Sequence, residues 1–107
     1  MKSIGIWDDY DWNNWKKIFI NFMGSYFNMD SDNIYEDLKD YLRDSNSDNK
    51  LRVLKSIKEF LEYDELSERD KENLIREETM ICYENYGLSA LEWVKYIEKR
   101  LEEEVSK

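Results

Sequence analysis

The reactive side chains of this sequence are overwhelmingly carboxylates, 25 Asp and Glu against 16 Lys and Arg, with no histidine and one cysteine. Asp44, Asn46 and Asp48 occupy the first, third and fifth ligand positions of a calcium-binding EF-hand loop. The pattern then fails. Asn49 stands where the loop needs glycine, and Lys55 replaces the bidentate glutamate, so a cation faces the ion. Asp30 and Asp32 begin a similar run that breaks at Ile34 and Tyr41. Carboxylate pairs could serve acid–base chemistry only if one acid were buried with a raised pKa, and the spacing singles out none. Without histidine the chain lacks the usual base near neutral pH, the commonest metal ligand and the usual activator of a Ser or Cys nucleophile. Cys82 cannot form an internal disulfide, and among Met80, Ile81 and Tyr83 it reads as a buried structural thiol. With 3 glycines there is no phosphate-cradling loop. The expectation is no catalytic residue, no cofactor and no metal.

Binding chemistry is better represented. Asn33, Asp37, Asp40 and Asp44 follow helical spacing with Glu36 beside them, either a docking surface for a cationic groove or an ordinary solvated face. The net charge of −9 disfavours nucleic acid and anionic lipid, whose phosphates require Lys and Arg, and favours a basic protein partner. Charge is uneven: residues 28–48 hold 7 acidic and 2 basic side chains, residues 62–78 hold 8 and 3, and residues 49–61 hold 1 and 4. The basic stretch Lys50, Arg52, Lys55 and Lys58 is expected to pair with the flanking acidic segments.

These groups need helices to place them. A stripe of Trp12, Trp15, Phe19, Phe22 and Tyr26, widened by Ile18, Met23 and Phe27, predicts a helix over about 8–27 and reads as core rather than a base-stacking platform. A second helix is expected over 31–44, capped by Ser31 or Asp32, with Ile34, Leu38, Tyr41 and Leu42 inward. A third over 48–63 should bury Leu51, Leu54, Ile57 and Leu61, with Val53 and Phe60 beside them. A fourth starts at Ser67 and, with thin apolar content at Leu74 and Ile75, should pack on the outside. The fifth begins at Ser89, where Ser89 and Glu92 make a capping box and Leu88 and Trp93 a hydrophobic staple. Glu102, Glu103 and Glu104 at its negative end should fray the last turn. Short connections and the absence of period-2 segments imply a single all-α domain over 1–107, an antiparallel bundle of about five helices. No apolar run reaches the ~20 residues of a spanning helix and no apolar signal core is seen, so a cytoplasmic protein is expected.

The segment Phe22-Met23-Gly24-Ser25-Tyr26-Phe27-Asn28-Met29-Asp30 resembles the close of the first helix in immunity proteins of contact-dependent growth inhibition (CDI) systems. There an aromatic-rich helix ends in a Phe-x-x-Tyr-Phe-like pattern and an acidic helix follows. A Cys-Tyr-like pair then precedes a Gly-x-Ser/Thr-x-x-x-Trp element, matched by Cys82-Tyr83, Gly87, Ser89 and Trp93. The resemblance covers about residues 15–101. It implies a non-enzymatic protein that binds a cognate toxin C-terminal domain, often a nuclease, and covers its active site. The expected contacts are Asp32, Glu36, Asp37, Asp40 and Asp44, with Tyr35 as aromatic anchor. The alternative is a helical scaffold or regulatory subunit of a larger complex.

Overall fold

The computed structural model describes residues 15–27 and 33–106. Five α-helices follow in order: α1 Trp15–Tyr26, α2 Ile34–Asp44, α3 Ser47–Glu62, α4 Glu68–Thr79 and α5 Ala90–Val105, with a 3-10 turn at Tyr83–Tyr86 before α5. No strand occurs among the described residues, so the all-α bundle expected from the sequence is what forms. Trp12, Ser31 and Asp32 fall outside the described residues.

α3 is the central element. Its Phe60 stacks on Phe19 of α1 with ring centroids 4.2 Å apart, and Trp15 meets Tyr63 edge-on at 5.3 Å. At the other end of α3, Asn49 and Val53 face Phe22 and Tyr26 of α1. Early residues of α1 therefore meet late residues of α3, so the two run antiparallel. Ion pairs give α5 the same sense: Lys50 reaches Glu104 at 3.7 Å, while Lys58 holds Glu98 at 3.3 Å and also Glu102. Two members of the basic stretch, Lys50 and Lys58, are thus partnered by α5 rather than, among the described residues, by the acidic segments flanking them in sequence. Those pairs also explain why α5 persists to Val105 despite its three consecutive glutamates. Lys58, Lys50 and Arg100 neutralise Glu102, Glu104 and Glu103 at the end where the helix dipole is negative.

The buried stripe of α3 differs from the one expected. Val53, Leu54, Ile57 and Phe60 are buried, whereas Leu51 is 51% exposed. At about 100° per residue, Leu51 lies on the far side from the Val53–Ile57–Phe60 line that meets α1 and α5. α4 is more than an outer layer. It buries Ile75, Lys71 and Thr79, with Lys71 Nζ donating to the Leu61 carbonyl at 2.9 Å and Thr79 Oγ1 to that of Ile75 at 2.8 Å. It ends at Met80, whose φ of 59° is the left-handed cap conformation usually taken by glycine.

Two helix starts match their sequence signals. Ser67 accepts from the Asp70 N–H, and the Ser89–Glu92 box is reciprocal, with bonds of 3.1 and 2.8 Å. The start of α2 is corrected: Asn33 is the cap, its Oδ1 accepting from Tyr35 N at 2.9 Å and Glu36 N at 3.3 Å, in place of Ser31 or Asp32. Ser89→Ala removes the hydroxyl that accepts from the Glu92 N–H at the start of α5 and should lower unfolding free energy by about 1 kcal/mol in urea titration.

Candidate partner-docking surface

α2 is placed by one apolar face. Ile34, Leu38, Tyr41 and Leu42 are buried, and every other side chain of the helix is at least partly exposed. Glu36 and Asp37 lie in its first turn, where the positive end of the helix dipole favours them. The charged face is not purely acidic. Arg43 pairs with Asp40 at 3.1 Å and Asp44 at 2.9 Å, all three side chains more than half exposed. The hydrogen bond from Arg43 holds the Asp44 carboxyl below the usual carboxylate range. Such exposed pairs contribute little to stability, but they draw charge away from the acidic end of the helix.

The expected contact residues separate into two groups. Asp37, Asp40 and Asp44 share one shoulder of α2, and Glu36 lies further round, on the outward face between that shoulder and Tyr35. Tyr35 is about 160° around the helix from Asp37, on the opposite shoulder. There it packs edge-on against Trp93 at 5.2 Å, Tyr96 at 5.5 Å and Tyr86 at 5.9 Å, remaining 38% exposed. Its ring joins α2 to α5. Trp93 is fully buried between Phe27 and Tyr96, and its indole Nε1 is a buried donor without a hydrogen-bond partner among the described residues. Asp32 lies outside the described residues.

The acidic shoulder borders a groove that sequence spacing does not reveal. Asn21, Ser25 and Tyr26 of α1, Tyr41 of α2, and Asn49 and Val53 of α3 line a space of about 220 Å³. Tyr26 and Tyr41 make a corner, rings 4.9 Å apart at 68°, and the Tyr41 hydroxyl donates to Asn49 Oδ1. Burial pushes the Tyr41 phenol up to about 12. Asp37 and Asp44 stand four residues before and three after Tyr41, the spacing of neighbours on a helix surface.

A second structured site lies at the α4–α5 junction. Glu72 accepts from the N–H groups of Ala90 at 2.8 Å and Leu91 at 3.0 Å, and from Arg76 Nε at 2.7 Å. Burial by itself raises its pKa, but the two backbone donors and Arg76 outweigh that and carry the carboxyl below its ordinary value. Arg76 also forks onto Glu84 at 3.0 and 2.8 Å. The Glu72 bonds are structural: they satisfy N-terminal donors of α5 from 18 and 19 residues away. Among the described residues no three His, Cys, Asp or Glu side chains converge as metal ligands, and the carboxylates with displaced pKa values, Asp44, Glu72 and Glu84, are all displaced downward. Cys82 is exposed rather than buried, its thiol 3.6 Å from Glu84 Oε1. The side chain buried in its place is Tyr83, which bonds Thr79 at 2.9 Å. No described helix is long and apolar enough to cross a membrane.

Residues 16–101 match the family model described as CdiI immunity protein. No curated protein and no solved structure matches the chain.

Proposed function

From the premise that this chain belongs to the CdiI immunity protein family, we propose that it works in the cytoplasm, where it binds one cognate nuclease toxin and covers its active site with the acidic shoulder of α2. Immunity proteins of this family act as binders of a toxin, not as enzymes. The observation that carries the finer reading is the shoulder itself. Glu36, Asp37, Asp40 and Asp44 project together from a helix whose opposite face is buried, in a chain of net charge −9. A nuclease groove is basic because its substrate is a polyanion, so an acidic helix face can compete for the same cations. Long-range attraction then raises the encounter rate, and close contacts set the residence time.

The test is co-expression with the C-terminal domain of the protein encoded immediately upstream. The expected result is a complex that survives purification, restored growth, and suppressed cleavage of nucleic acid by the toxin domain. Continued growth arrest with no complex formed rules the function out. A complex formed with a toxin that cleaves no nucleic acid removes the nuclease from the reading and leaves toxin neutralisation standing.

A further inference from the structure

We propose that the groove between α1, α2 and α3 receives one arginine side chain of the toxin, an inference that rests on the immunity reading above. At about 220 Å³ the groove is smaller than the ~300 Å³ at which small-molecule sites begin, and matches a single long side chain better than a cofactor. Its walls suit a guanidinium. Tyr26 is 41% exposed and stands against Tyr41 at 68°, leaving aromatic surface over which a planar cation can stack. Asn21 and Ser25, one helical turn apart on α1, bring side-chain oxygens that accept hydrogen bonds at the mouth. No lining residue is charged, so the balancing charge comes from beside the groove, where Asp37 stands one helical turn before Tyr41 in a chain of net charge −9. The nearest cation on α2, Arg43, is held by Asp40 and Asp44. Arginine is favoured over lysine because its flat, weakly hydrated head exploits both the aromatic corner and several acceptors at once.

Interfaces concentrate their energy in a few residues that fill pockets, with arginine and tyrosine prominent among them. The experiment measures affinity for the purified toxin domain with three variants. Ser25→Arg supplies the groove with the chain's own guanidinium, Tyr26→Ala removes the stacking wall, and Tyr26→Phe keeps the ring. Both sites are solvent-exposed, and circular-dichroism melts check that each variant folds. Ser25→Arg and Tyr26→Ala should each weaken binding by about tenfold or more, and Tyr26→Phe should stay near the unaltered protein. One toxin arginine, changed to Ala, should show a non-additive effect with Tyr26→Ala. Unaltered or raised affinity in Ser25→Arg and Tyr26→Ala, with the unaltered protein binding normally, overturns the groove and leaves the immunity function intact. Weakened variants without a coupled toxin arginine overturn the choice of occupant. Failure of the unaltered protein to bind overturns both this inference and the function beneath it.

Discussion

Changing Glu36, Asp37 and Asp40 together to Lys should weaken toxin binding by about 100-fold at low salt, mostly through slower association. The substitution replaces three negative charges by three positive ones on the shoulder that borders the groove, so a basic partner meets repulsion where it met attraction. Screening should shrink the difference as salt is raised, because exposed charges more than about 10 Å apart interact little at 0.1 M ionic strength. Some stability is lost too: Glu36 and Asp37 favour the N-terminal turn of α2, and Lys there opposes the helix dipole at a cost of about 1–2 kcal/mol in total. Chemical denaturation separates the two effects, since a domain that remains folded at the assay temperature binds weakly only for reasons of charge. Stopped-flow association rates at several salt concentrations are the measurement. Rates and affinity equal to the unaltered protein at every salt concentration would sink the assignment of this shoulder to the interface.

The second large effect is on stability. Glu72→Ala should lower unfolding free energy by about 3 kcal/mol at neutral pH, because hydrogen bonds to a charged acceptor are each worth more than neutral ones and two backbone donors lose their partner. The loss also frees Arg76 from its i,i+4 partner and weakens the α4–α5 junction. The effect depends on pH with a definite sign. The folded-state pKa of Glu72 lies below its ordinary value, so its stabilisation is fully present above the unfolded value, about 4.3. It is lost as pH falls through the lower folded value. Urea unfolding of both proteins should therefore give a constant gap above about pH 5 that narrows in more acidic buffer. Glu72→Gln is informative beside it, since an amide keeps one acceptor yet turns its NH2 toward the other donor. It should recover only part of the loss, and its gap from the unaltered protein should narrow in acid as that of Glu72→Ala does, because the titrating carboxylate is the unaltered protein's. A gap that stays the same down to pH 3 would remove the carboxylate from the account.

What the sequence reveals about this fold follows from the range of each interaction. The Ser89–Glu92 box spans three residues, and nothing else in the molecule is needed to form it, so its signal is legible. The buried sides of α1 and α2 are largely legible for a similar reason, because their apolar residues repeat with the helical period, although Tyr26, expected in the core stripe of α1, is 41% exposed. Leu51 misleads because α3 carries apolar residues on more than one side, and only the placement of α1 and α5 decides which side is inner. Cys82 misleads because its neighbours are apolar. The left-handed cap at Met80 redirects the chain so that Tyr83, not Cys82, enters the core. Glu72 and the groove leave no local signal. One joins residues 18 apart, and the other is assembled from three helices. The acidic residues of α2 are visible in the sequence, but the position of Tyr35 on the opposite shoulder depends on where α5 lies.

α2 is tied to the rest of the molecule through Ile34, Leu38, Tyr41 and Leu42 and through the Tyr35 ring against α5. The ion pairs that hold α3 to α5 and the carboxylate that caps α5 are all elsewhere. If the acidic face of α2 is the interface, recognition draws mostly on residues that the core does not need. A descendant chain can exchange Glu36, Lys39, Asp40 or Arg43 for other polar residues with little change in the core. New partner preferences can then arise on a scaffold that needs no redesign.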